Sequence, residues 1–169
     1  AKLNVRVAAL WRGGSTIQSV RQAMAAIEKQ PRPPAHLGDG RLVSAGVKLY
    51  IDGSGGARTA WMYDDWNKDL KGTDTGNKGY PANGDGYPDV FKQQVAMLTA
   101  AGIHVGAHAV GDRGVGFAAR NCARGVKAHP VKGLRHSIIH ANIPTDRAMR
   151  VMASLQRTYD AGYPEAQAP

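Results

Sequence analysis

The chain has 169 residues, 43% hydrophobic and 21% charged, enough for one globular domain and too few for two ordinary ones. Its 21 glycines and nine prolines stay below the level of a low-complexity chain, no apolar run is long enough for a membrane span, and the start AKLNVRVAALWRGG carries no signal-peptide pattern. The net charge of +9 would suit an acidic partner, but Arg12, Arg21, Lys29, Arg32, Lys48, Lys68, Arg113, Arg120, Arg124 and Arg157 are scattered rather than gathered in a run, which argues against nucleic-acid binding.

In chain order, Leu3 to Trp11 reads as a strand, ended by Arg12-Gly13-Gly14. Residues 16 to 30 place Ile17, Val20, Met24 and Ile27 at helical spacing, and Pro31, Pro33 and Pro34 stop the helix. Val43 to Asp52 is the second strand. It runs into a Gly-, Asp- and Asn-rich stretch, residues 53 to 86, whose Trp61, Tyr63, Trp66 and Tyr80 are too many aromatics for a plain linker. Residues 88 to 101 put Phe91, Val95 and Leu98 on one helical face, and Ile103 to Ala109 is a strand. Asp112 is expected to cap a helix with the stripe Val115, Ala118, Ala119, Cys122 and Val126. Leu134 to Asn142 is the last strand, and Asp146 opens a helix carrying Ala148, Val151, Met152 and Leu155. Strands alternating with helices predict a parallel sheet in an α/β fold, in number half of a (β/α)8 TIM barrel.

Alternation along the strands selects the residues that could do chemistry. With Val47, Leu49 and Ile51 on the helix side, Lys48, Tyr50 and Asp52 point the other way, and a lysine inside a strand needs either a counter-charge or a function. The same parity sets His104, Gly106 and His108 opposite Ile103, Val105 and Ala107, and groups His136, Ile138, His140 and Asn142. His108 and His140 fall at the carboxyl ends of their strands, where parallel α/β folds build sites. His104 and His136, which begin strands, read as structural, His36 and His129 as solvated, and Cys122 as core. This lone cysteine excludes an internal disulfide or a cysteine cluster for zinc, and leans towards the cytoplasm. Asp112 serves either as a cap or as a substrate contact. No GxGxxG follows a strand, so a dinucleotide fingerprint is not supported.

Three segments, VKLYIDGSGGARTA (47 to 60), AAGIHVGAHAVGDRGV (100 to 115) and LRHSIIHANIPTD (134 to 146), give the chain its resemblance to the amidohydrolase superfamily, in particular the family 3 branch of N-substituted formamide deformylase-like proteins. The resemblance implies a metal-dependent TIM barrel that hydrolyses amide or related C–N bonds. In it Lys48 takes the place of a carbamylated lysine bridging metals, and His108 and His140 take the places of metal ligands. The implied cofactor is zinc or another divalent metal, one or two ions, which activates water. Asp52, Arg58, Asp112, Arg113 and Asn142 are candidates either for contact with substrate or for support behind the metal ligands, and the 53 to 86 loop is a substrate-side wall favouring an apolar or aromatic group. The first-strand HxH pair and the eighth-strand aspartate of the family have no counterpart in the 169 residues. Ile139 stands where a glutamate is common, and Arg157, after Leu155-Gln156, where a proline is common.

Residues 1 to 169 are therefore expected to be a partial barrel domain, roughly strands three to six with the start of the seventh, inactive alone and prone to self-associate or to pair with the missing barrel half. Its partner would be a small-molecule amide, with no nucleic acid and no membrane. Two other readings remain: a barrel enzyme using Lys48 as a Schiff-base amine, and a non-catalytic basic binding module.

Overall fold

The computed structural model describes residues 4–29, 42–67, 70–73 and 75–160. Four strands and four helices alternate: β1 (Val7–Arg12), α1 (Ile17–Glu28), β2 (Leu42–Tyr50), α2 (Tyr87–Ala100), β3 (Val105–Ala109), α3 (Asp112–Ala128), β4 (Ser137–His140) and α4 (Asp146–Asp160). The strands form one parallel sheet in the order β1-β2-β3-β4, as the alternating pattern requires.

The apolar periodicities become the core. Val47 and Leu49 from β2, Ile51 just past it, and Val105 and Ala107 from β3 pack with Val20 and Ile27 of α1, Phe91, Val95 and Leu98 of α2, Val115, Ala118 and Cys122 of α3, and Ala148 of α4. Neighbouring helices pack in sequence, α1 on α2, α2 on α3 and α3 on α4, so they form one layer over one face of the sheet. At roughly 25 cal/mol per Å² of apolar surface, this layer is the dominant stabilising term. The other face of the sheet carries Lys48, Tyr50, His108 and Ser137, none of them buried, with Tyr50 43% exposed. Among the described residues no helix is long and apolar enough to cross a membrane.

The strands are shorter than the alternation predicts. β3 begins at Val105 and β4 covers only residues 137 to 140. His104 and His136 stand just outside the ladder, held by side-chain bonds. Leu155 and Gln156 continue α4 rather than opening another strand. The cap residue of α3 is Gly111, not Asp112, and it makes no side-chain cap bond. In α1 the start is the expected kind, with Thr16 and Ser19 forming a reciprocal capping box. A register shift between Ala9 and Leu10 leaves Ala45 as an extra residue in β2. The following Gly46 has φ +134, and a Cβ there would lie 2.2 Å from the His104 carbonyl oxygen, so only glycine fits.

The described residues of the 53 to 86 stretch are structured. Ala82 N–H donates to Ile51 O, Met62 N–H to Lys78 O and Trp66 N–H to Asn77 O, each within 3 Å, folding the segment back on itself beside the end of β2. His36 and the Pro31–Pro34 helix stop lie outside the described residues, as does Lys68; His129 is exposed, as expected.

Candidate metal site at the carboxyl end of the sheet

Cα register sets the levels of the site. Lys48 pairs with Gly106, and Tyr50 pairs with His108, which pairs with Ile139. Because Gly106 has no side chain, the space beside Lys48 stays open to Leu10 and Ile139, whose terminal carbons would lie 2.5 and 3.2 Å from a Cβ at that position. The Lys48 ammonium sits 4.6 Å from the centre of the Tyr50 ring. Tyr50 in turn lies 5.1 Å from His108, and the His108 and His140 rings meet edge to face at 4.7 Å. The structure thus brings the two imidazoles together and joins Lys48 to them through Tyr50. Parity had set Tyr50 beside Lys48 without giving it a role.

His140 reaches this place by a route that alternation does not describe. Ile138 packs into the helix-side core, and His136 bonds to Thr99 of α2, so both face the helices. Strict alternation would send His140 the same way. Instead His140 has φ +81 and Ala141 φ +48, both in the left-handed region, and this turn of the backbone places the His140 ring against His108. Non-glycine residues held there cost of order 1 to 3 kcal/mol each and cluster at functional sites. The grouping of His136 and Ile138 with His140 is therefore corrected, while the His140 ring does lie beside that of His108.

His108 has one nitrogen occupied. Its Nε2 lies 2.8 Å from the Gly53 carbonyl oxygen, which can only accept, so Nε2 is the donor and, in the neutral ring, Nδ1 is the nitrogen with the lone pair. That is the arrangement in which a histidine is oriented to hold a metal, its other ring nitrogen donating to a carbonyl. Burial lowers the Lys48 pKa and so favours the neutral amine. Among the described residues no three His, Cys, Asp or Glu side chains gather as a metal cluster; the expected set has two histidines, its third member being a lysine. The donors present fit a divalent cation in type: imidazole nitrogens and, after carbamylation, a lysine-borne oxygen.

The candidate substrate contacts separate into distinct roles. Asp52 is 2% exposed and accepts from the backbone N–H groups of Trp61, Val110 and Gly111. Of the two roles open to it, this geometry suits support behind the ligands rather than contact with substrate, because past Tyr50 the strand has ended and its parity no longer applies. Burial raises the Asp52 pKa, with the three N–H groups and His108 opposing. Asp112 accepts from Tyr63 N–H at 2.9 Å, tying the long loop to the first turn of α3. Arg113 is exposed and stacks over Trp61 at 4.3 Å, with Tyr63 at 6.0 Å. Arg58, φ +55, pairs with Asn67 inside the loop. Asn142 is exposed just past β4.

The chain matches the model of the amidohydrolase family, family 3, over residues 1–163. No curated protein matches it. It is similar in fold to two solved structures described as uncharacterised metal-dependent hydrolases. One, from Pyrococcus horikoshii OT3, has a TM-score of 0.63 at 23% identity; the other, from Pyrococcus furiosus, has 0.62 at 22%. Each comparison covers 90% of this chain, which spans 26% and 27% of the length of those proteins, so the four-stranded sheet corresponds to part of a TIM barrel. With its match running through nearly every described element, the chain belongs to the amidohydrolase family.

Proposed function

We propose that this chain forms part of a metal-dependent hydrolase that cleaves the C–N bond of an amide or N-substituted formamide, with Lys48, His108 and His140 as metal-holding residues. The observation that carries the reading is the His108–His140 pair at the ends of adjacent parallel strands, with His108 Nε2 tied to the Gly53 carbonyl and Nδ1 without a bond among the described residues. Zinc is the metal that this donor set suits best, and Lys48, its amine favoured by burial, is the position for a carbamate. A divalent cation bound there supplies Lewis acidity, polarising a carbonyl and acidifying water.

The chain's own residues account for the rest of the reading. Gly53 orients His108. Trp61, Tyr63 and the Arg113 guanidinium form a shelf on the loop and α3 that suits a flat or aromatic substituent, and Asn142 is exposed just past β4. The open face of the sheet, bearing Lys48 and Tyr50, implies further barrel strands beside it.

The test is the zinc content and zinc affinity of the purified chain, measured for wild type, His108→Ala and His140→Ala. Binding that either substitution abolishes supports the reading, and unchanged binding in both overturns it. Carbamylation is tested with ¹³C-labelled bicarbonate, which should give a carbamate resonance that Lys48→Ala removes. Borohydride trapping of a carbonyl compound on Lys48 would favour Schiff-base chemistry instead.

A further inference from the structure

Residues 51 to 53 grip residues 108 to 111 at every level. Ile51 N–H donates to the His108 carbonyl at 3.0 Å, and the Gly53 carbonyl accepts from His108 Nε2 at 2.8 Å. Asp52 lies between these two residues. Its Oδ1 accepts from Val110 N–H at 3.0 Å, and its Oδ2 accepts from Gly111 N–H at 2.8 Å and Trp61 N–H at 3.1 Å. The same carboxylate stands 3.7 Å from His108 Nε2. Three N–H donors converge on one side chain, so the position calls for a group that only accepts. An asparagine would turn an NH2 towards at least one of them.

The glycines around Asp52 show how closely the parts approach. A Cβ on Gly114 would lie 2.4 Å from Asp52 Oδ2, one on Gly111 2.2 Å from the Trp61 carbonyl oxygen, and one on Gly53 2.1 Å from Thr59 Oγ1. The segments Ile51-Asp52-Gly53 and His108-Ala109-Val110-Gly111-Asp112-Arg113-Gly114 are thus two halves of a single joint, with Asp52 as its pin.

We propose that Asp52 is a positioning residue for His108: the buried carboxylate locks the end of β2, the β3–α3 turn and the start of the long loop together, and so holds the His108 ring in the Nε2–H tautomer with Nδ1 presented. As a statement about metal binding this rests on the reading of His108 as a metal ligand. As a statement about ring geometry it does not. Asp52 takes no part in proton transfer, since it is shut off from solvent and both its oxygens are occupied.

The test uses long-range ¹H–¹⁵N spectra of the histidine rings in the metal-free full chain at about pH 8.5, above the ordinary imidazole range, together with Zn²⁺ titration of wild type, Asp52→Asn and His108→Ala. The expected result is a single Nε2–H tautomer for His108 in wild type and a mixture in Asp52→Asn, whose Zn²⁺ affinity falls about 10- to 100-fold, as for loss of other outer partners of metal-binding histidines. A folded Asp52→Asn with wild-type tautomer and wild-type affinity overturns the proposal. Should that variant fail to fold, the wild-type spectrum decides: an Nδ1–H or averaging His108 overturns the proposal, and a scalar coupling from Nε2–H to the Gly53 carbonyl upholds it. If His108→Ala binds Zn²⁺ as wild type does, the metal reading fails, and the tautomer comparison still judges Asp52.

Discussion

The two ends of β3 and β4 carry the same residue type in the same pairing and use it in opposite ways. At the foot, His104 and His136 have ring centres 6.2 Å apart and every ring nitrogen bonded. Val105 N–H donates to His136 Nδ1, so Nε2 carries the proton and donates to Thr99 Oγ1, which donates to the Val95 carbonyl. His104 Nδ1 bonds to the Arg135 carbonyl and its Nε2 faces the Ser137 hydroxyl. At the mouth, His108 and His140 are closer, His108 has one nitrogen tied to Gly53, and His140 is exposed. Saturation of the ring nitrogens, rather than residue type or strand position, separates a structural histidine from one available to a ligand.

The sharpest way to break this comparison is to delete one histidine from each end. His108→Ala should lower zinc affinity by at least about 100-fold while costing little stability, because its side chain is partly open and Gly53 O can turn to water. His136→Ala should leave zinc binding in place and cost about 2 to 4 kcal/mol, since it orphans the Val105 N–H and opens a cavity. Calorimetric zinc titration and urea melts on both variants read this contrast. The reverse pattern would remove the distinction between the two ends.

Acid provides the next largest effect, and it acts at the foot. Burial, with His104 adding repulsion, pushes the His136 pKa down from 6.5 to about 4. Through that interval the unfolded chain binds a proton that the folded chain refuses, so stability is full above about pH 6.5 and falls as pH drops towards 4. The loss attributable to His136 is about 3 kcal/mol. His104, lowered chiefly by burial, adds to it in the same direction. His136→Gln can accept from Val105 and donate to Thr99 without titrating, so it should flatten this part of the pH–stability curve. An unchanged slope would show that the foot histidines are not what acid attacks.

A smaller effect separates the joint around Asp52 from its neighbourhood. Gly114→Ala drives a methyl against the Asp52 carboxylate and should cost about 1 to 3 kcal/mol. Gly56→Ala, in the loop that approaches the same joint, meets nothing within 4 Å and should stay within about 0.5 kcal/mol of wild type. Thermal melts of the two variants suffice, and equal costs would mean that Asp52 gives way easily.

How much of this is legible in the sequence depends on whether the period of an element holds. Phe91, Val95 and Leu98, and Val47, Leu49 and Ile51, are all 1% exposed or less, so the helix and strand repeats expose the core directly. The same repeat misplaces Asp52, because β2 stops at Tyr50 and the chain turns inwards two residues later. It gives His140 the wrong companions, because a positive φ at a histidine leaves no mark in an alternating pattern. Tyr50, between Lys48 and His108, is on the correct face by parity, but only the cross-strand register shows that it stands opposite His108. The role of Asp52 needs the pairing of two segments more than 50 residues apart, which periodicity does not encode.

The smallest effect belongs to the shelf at the mouth. Arg113 is exposed, and its guanidinium lies 4.3 Å over Trp61, whose ring also meets that of Phe117 at 5.9 Å. An exposed cation–π contact contributes about 0.5 to 1 kcal/mol, and Trp61 keeps its backbone bond to Asp52 without it. Arg113→Ala should therefore cost no more than about 1 kcal/mol and leave zinc affinity unchanged, since the guanidinium touches neither histidine in the ring contacts that build the site. What it should alter is the environment of the indole: Trp61 emission should shift in Arg113→Ala, and a Trp61→Phe background should abolish that shift and so separate it from Trp11 and Trp66. A measurable fall in zinc affinity would instead join the shelf to the histidine pair, making the mouth one coupled unit where the foot is one saturated network.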